Sequence, residues 1–369
     1  MTAAEKKQLV VLLGELQGAV DELLLAGLTA ASKSTIERID VTFKEAARMR
    51  LLRLASNLRI ANEEISRFTA GAAQFSARRL AFFLGRVWLL ALGMQRAIEQ
   101  GDDDAVARLM ATPATMPVDR IRAVTLGVGK RVVPGTVASF EFRMRALEDA
   151  SPLKAGQSFI WSFVFPMRKD LDLPAEAFLH LPQKQKFKPS LLLEKNIVEI
   201  AKCFISCQPN AVARLTLGDQ SDVKTKAPFK EWQSFWKWER NKCAARLAQF
   251  QPTPLDLEIE LQEEVFLQDW DSGAKQSFDE GYDELALAGA GMAFSCRLDR
   301  GASGNPLLGV MTQLAHKKNR PPIFGVAHYE ACKIILQPLA ALGKDGPEYL
   351  TVSPDKISQA ELVKAMKFT

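Results

Sequence analysis

Few side chains able to do chemistry occur here, and their spacing does not suit catalysis. The 369 residues contain three His, at 180, 316 and 328. His180 lies in an apolar stretch, His316 in the basic run HKKNR and His328 in a strand-like segment. None has a Ser or Cys placed as a nucleophile beside it, and no two share metal-ligand spacing. Gly127–Lys130 (GVGK) ends like a phosphate loop, but Arg131 stands where a magnesium-binding hydroxyl is needed, so the segment reads as a turn. Gly289–Gly291 has two dinucleotide-type glycines ahead of a strand pattern, where a helix is required. Asp269, Asp271 and Gly273 begin like a calcium loop that loses its third ligand. The five Cys, at 203, 207, 243, 296 and 332, read as reduced thiols, with Cys203 and Cys207 on one face of a strand. These observations lean away from an enzyme and predict no metal, no cofactor and no small-molecule substrate. An enzyme with a site of dispersed carboxylates is kept as a third reading.

Binding chemistry is better represented. Arg143 and Arg145 fall on the polar side of the alternation Ala138–Ala146. If 120–126 pairs with 137–146, Arg120 and Arg122 stand across from them. Such a cluster opposes pairing unless an anion or an acidic surface covers it. Lys184, Lys186 and Lys188 in QKQKFK add mobile cations around an aromatic residue, the mixture that single-stranded nucleic acid uses. The alternative is a solvated Arg face paired with acids near 256–264.

The charge is unevenly distributed. Residues 120–250 hold 22 Lys and Arg against 12 Asp and Glu, and residues 255–284 hold 11 acids against one Lys. The two regions meet at Pro228–Phe250, which reads as one amphipathic helix of about six turns. Its stripe is Phe229, Trp232, Trp236, Cys243, Leu247 and Phe250. Trp238 and Lys242 lie on the opposite side with Phe235 and Lys237 near them, so the helix is either clamped between domains or offers these four residues to a partner.

The elements around these residues predict an α+β multidomain chain. Residues 1–112 read as an all-helical bundle, with a second helix capped by Ser34 and running to about Phe68, a third over Ala72–Gln100 and a short fourth capped by Asp102. Residues 117–227 form a basic β-rich module and 228–252 the connecting helix. Residues 253–369 form a second antiparallel β-rich module, barrel- or sandwich-like as the first, with an acidic first strand, an acidic loop at Asp269–Glu284 and a closing helix from Ser353 or Asp355. Glu15 interrupts the N-terminal apolar patch, and Leu80–Met94 is too short to cross a bilayer, so neither a secretion signal nor a membrane contact is expected. The composition fits a cytosolic protein. Two functions follow: a non-enzymatic adaptor or structural subunit with protein partners, or a single-stranded nucleic-acid-binding protein using the middle module.

Overall fold

The computed structural model describes residues 2–72, 75–110, 115–133, 137–167, 174–207, 212–249, 262–277, 282–299, 304–330, 332–352 and 363. It is an α+β chain in two compact units, one of helices up to Met110 and one of strands from Thr115.

The helical unit contains α1 (Ala3–Ala26), α2 (Lys33–Arg48), α3 (Leu52–Thr69), α4 (Ala77–Glu99) and α5 (Asp103–Met110). In α1 the heptad-like spacing places Leu9, Leu13, Leu16, Val20 and Leu23 in the bundle core. The long second helix expected to reach Phe68 is two helices, and Ser32 rather than Ser34 caps the first. Arg50 at φ 58° turns the chain between them. An unbroken helix of that span would be about 50 Å long, well beyond its neighbours, and could not bury both apolar stretches in one bundle. Asp102 caps α5 as expected, accepting the Ala105 N–H at 2.8 Å. Glu64 is fully buried and ties α3 to α4, accepting the Ser76 N–H at 2.9 Å and Arg79 Nε–H at 2.8 Å. Burial pushes its pKa up, but these donors outweigh that and hold it below the ordinary Glu value. α4 is long and apolar enough to cross a membrane by length and composition, and it turns Leu84, Val87, Leu90 and Met94 into the bundle core.

In the second unit, β1 (Thr115–Val133), β2 (Val137–Ala146), β3 (Ser158–Pro166), β4 (Asn196–Ser206) and β5 (Ala213–Pro228) close a barrel in the order β1-β2-β3-β5-β4. β3 and β5 run parallel, and all other neighbours are antiparallel. That is the arrangement of a five-stranded OB-type barrel. Alternation fills it with Phe140, Phe142, Phe159, Trp161 and Phe163.

The next strands are β6 (Glu263–Leu267), β7 (Trp270–Ser277), β8 (Tyr282–Gly289), β9 (Met292–Asp299), β10 (Ile323–Glu330), β11 (Lys333–Gly343) and β12 (Gly346–Tyr349). Between β9 and β10 lies a helix, Gly304–Ala315. Their path is β6-β10-β11-β9-β8-β7, with β9 and β11 parallel. Only Gln268 and Asp269 separate its two ends, so β6 and β7 act as halves of one bent first strand. Taken so, the second sheet has the strand order of the first barrel and is a second barrel left open between β6 and β7.

Several expectations need correction. Asp269–Glu284 is largely a hairpin of β7 and β8 instead of a loop, and a helix follows the turn expected at Gly301–Gly304. GVGK is inside β1, where the close approach of the second barrel needs Gly127: a Cβ there would stand 2.7 Å from the Phe324 ring. Cys203 is buried but Cys207 is exposed just past the end of β4. The six-turn central helix does not form. β5 runs to Pro228, a 3-10 turn spans Trp232–Phe235, and the helix α6 is only Arg240–Gln249. Burial of Trp232 between the barrels overrides the helical periodicity there. The acidic strand expected from 255 to 261 and the closing helix expected from Ser353 lie outside the described residues.

Candidate nucleic-acid interface

The Arg face predicted on β2 is covered. Gly127, not Arg122 or Arg120, is the β1 partner of Arg143, and Val124 is the partner of Arg145. With Ala123 opposite Ala146, Arg120 and Arg122 lie beyond the paired end of β2, so the four arginines never form the expected cluster, and a bulge between Thr125 and Gly127 shifts the pairs after it by one residue more. Arg143 is 2% exposed. Arg145 meets Glu264 at 2.6 Å, Arg143 lies 3.7 Å from the same carboxylate, and Ser158 donates to it at 2.6 Å. The acidic surface over this cluster is therefore the chain's own β6. Arg120 and Arg122 instead share Glu148, at 3.4 and 3.5 Å. The outer face of strands 2 and 3, which OB-type barrels commonly use for oligonucleotides, is thus partly spent on docking the second barrel.

The residues predicted to meet a protein partner also lie at this junction. Trp238 is half-buried and packs against both the second barrel's core and the junction core, with its ring 6.4 Å from that of Phe294. With Lys237, Lys242, Arg145, Arg246 and Glu263 it lines a cleft of about 830 Å³. Glu263 is buried there, which raises its pKa above the ordinary Glu value despite Arg246 beside it. Lys242 is exposed and paired with Glu239 at 2.5 Å. Phe235 stacks on Phe229 at 5.6 Å and lines a separate cavity.

A basic aromatic surface does exist on another side of the first barrel. Phe204, on the outer face of β4, is 39% exposed. Its ring lies along Gly218 of β5, where an added Cβ would stand 3.1 Å from the ring edge. The Gly218 carbonyl accepts the Gln185 side-chain N–H at 3.0 Å. This bond anchors the QKQKFK segment, which is itself a closed turn: Gln183 N–H donates to the Phe187 carbonyl and Lys186 N–H to the Gln183 carbonyl, both at 2.8 Å. Phe187 is buried 5.6 Å from the Trp161 ring, which leaves Lys184, Lys186 and Lys188 exposed on the turn. From the same place Ser221 donates to the Lys202 carbonyl at 2.6 Å, and Arg214 lies two residues from Thr216, the β5 partner of Phe204. Lys184, Lys186, Lys188, Lys202 and Arg214 make no ion pair among the described residues. The result is one exposed aromatic ring with an edge against the sheet, and around it cations that make no ion pair among the described residues. Among the described residues, no group of three or more His, Cys, Asp or Glu could hold a metal ion.

No family model and no curated protein matches the chain. Some solved structures align with it. One, described as the molecular basis for abrogation of activation of pro-inflammatory cytokines, is 12% identical, covering 61% of this chain and 92% of its own, at TM-score 0.27. The tetrameric p202 HIN2 crystal structure is 8% identical over 66% and 99% of the two chains, at TM-score 0.26. A murine DNA-binding protein bound to double-stranded DNA is 10% identical over 65% and 100%, at TM-score 0.24. At such scores the likeness carries no argument, and the reading of the surface rests on its own side chains.

Sequence reasoning singled out Lys184, Lys186 and Lys188 but not Phe204, Lys202 and Arg214, which the structure places on the same side of the barrel. A signal was present. It lies at Lys202, a charged residue at a position that the alternation of Val198 and Ile200 would turn inward; at φ 53° it shifts the phase, so that Phe204, in step with them in sequence, faces outward while Cys203 and Ile205 face in.

Proposed function

We propose that the chain binds single-stranded nucleic acid on the outer face of its first barrel, with a base stacked on Phe204 and phosphates held by Lys184, Lys186, Lys202 and Arg214. The observation that supports this is the convergence at Gly218 of an exposed aromatic ring and a rigid Lys-bearing turn. Stacking on an aromatic ring within a cationic groove is the sequence-tolerant mode for single strands, since every base has a π-face. OB-type topology alone would not support it, because folds host many functions.

The test is fluorescence anisotropy on labelled pyrimidine oligomers, DNA and RNA, across a salt series. Phe204→Ala is expected to weaken binding by about 5- to 150-fold, the loss of one stacked base. Lys184→Gln with Lys186→Gln is expected to lower the salt slope by about 1.4, or 0.7 per phosphate contact on a single strand. Binding that ignores both changes, with the fold intact, would remove the reading.

A second reading, a subunit of a protein assembly, is supported by the helical unit. There Leu25 is 89% exposed and Val11 and Val41 are each more than half exposed. Association with protein that persists after nuclease treatment and at high salt, and is lost in Leu25→Ser, would favour it.

A further inference from the structure

We infer a second base-binding subsite at the far end of β4, in the cavity lined by Phe229 and Phe235, reached by a strand that leaves Phe204 along the outer face of β4. This rests on the proposed function and extends it from one platform to a track.

The geometry carries it as follows. Along β4 the outward positions after Phe204 are Ala201, Glu199 and Ile197, and Ile197 lines the cavity. Ile197 is seven positions from Phe204, which at about 3.3 Å per residue is about 23 Å. Both flanks of this path carry cations. Arg120 and Arg122 of β1 pair in register with Ala201 and Glu199, and Lys224 of β5 pairs in register with Glu199 from the other side. Each flanking cation has a carboxylate partner: Glu148 for the two arginines, Asp222 for Lys224, and Glu199 for Lys226 at 3.2 Å. Exposed pairs of this kind contribute little and leave the cations free to exchange them for phosphate oxygens.

The cavity at the end holds about 500 Å³, within the range of small-molecule sites and ample for one base. Phe229 and Phe235 form one wall, with ring centroids 5.6 Å apart and planes within 21°. Both rings are half-buried and both line the cavity. Ile197 and Leu147 complete the apolar part, and the cations Arg122 and Lys230 line it together with the carboxylates of Glu148 and Glu231. Lys230 makes no ion pair among the described residues. A flat ring with hydrogen-bond donors on its edge and a phosphate beside it matches this set, the rings taking the flat face, the carboxylates the donors and Arg122 and Lys230 the phosphate, and a nucleotide within a strand has all three. The alternative use of the cavity, an acidic peptide with an aromatic side chain, lacks the continuity with Phe204 that the cation-flanked path provides.

Oligomer length separates the two subsites. Thymidine oligomers of about 4 nucleotides would cover the Phe204 platform alone, and those of about 12 would reach the cavity, both within the site sizes known for OB-type folds. Phe235→Ala is expected to weaken the 12-mer at least about 5-fold and to leave the 4-mer unchanged, while Phe204→Ala weakens both. Because Phe235 also packs on the junction core, Arg122→Gln supplies a variant that removes little packing. It should lower the salt slope for the 12-mer by about 0.7 and not alter that of the 4-mer. If Phe204→Ala weakens the 12-mer and neither Phe235→Ala nor Arg122→Gln affects it, the cavity is not a subsite and the platform stands. If neither oligomer binds the wild-type chain, the platform itself is wrong.

Discussion

Glu264→Ala is expected to destabilise the β-rich unit by about 1.5–3 kcal/mol, the worth of a hydrogen-bonded contact to a charged group at a nearly buried site. The carboxylate is the centre of the junction between the barrels: Arg145 and Ser158 each reach it at 2.6 Å and Arg143 at 3.7 Å. Removing it leaves the 2%-exposed Arg143 with Glu141, at 2.6 Å, as its remaining carboxylate. Glu264→Gln keeps acceptors for Ser158 and Arg145 and should cost less. Urea unfolding of each variant measures this, with a shift in midpoint at an unchanged slope marking a loss of stability. The same variants also test the interface. Arg143 and Arg145 belong to the fold here, so losing Glu264 should leave oligomer affinity at low denaturant near the wild-type value. A large gain in affinity would show that the two arginines, once released, are the nucleic-acid contacts and that the Phe204 surface is secondary. Barely altered stability would mean that the carboxylate does not hold the barrels together.

The pairing of Glu264 with Arg145 also explains part of what the sequence could and could not convey. Opposite charge in neighbouring regions is visible in composition, and one member of each region does meet here. Which residues would meet depends on register. The bulge after Thr125 moved Gly127 opposite Arg143, and nothing in the residue pattern announces a bulge except the glycine itself. Helices and strands with plain periodicity were legible: the Leu spacing of α1, the alternation of Phe140, Phe142 and Met144, and the cap at Asp102. The failures share one cause. Where a residue is claimed by packing from another part of the chain, local period loses: Trp232 is drawn into the junction core, and a 3-10 turn replaces the first half of the expected helix. The repeated barrel topology was invisible for a related reason. Strand order and parallel contacts such as Phe159 with Ala213 and Ser295 with Ile335 are long-range facts that leave no residue-level repeat. The proposed platform was half legible: its lysines are a composition signal, whereas Phe204 depends on one backbone irregularity at Lys202.

Trp232→Ala should cost about 3–5 kcal/mol, as large a loss as any single core truncation in the chain. Trp232 is 1% exposed and meets Phe229 edge-on at 4.9 Å, in the cluster that also contains Val124 and Leu126 of the first barrel and Phe324 and Leu339 of the second. It packs on Gly346, at φ 106°, where an added Cβ would lie 2.8 Å from the indole. No smaller residue fills that gap, and the backbone on either side is fixed by sheet pairing, so the cavity cannot collapse. Trp232→Phe should cost much less than the alanine change. The indole N–H is buried without an acceptor among the described residues, so its removal strands no partner and deletes an unmatched donor. Trp238→Ala belongs in the same experiment. Its ring packs on the second barrel's core as well as on the junction, so a lowered melting temperature with unchanged association would assign it to the clamp and not to a partner surface. The decisive comparison is whether Trp232→Ala shifts a single transition or splits it. Two barrels that share this core unfold together while it is intact, and truncation should separate their transitions. One barrel melting at its wild-type temperature regardless of Trp232 would show that the barrels fold independently and that the indole stabilises only one.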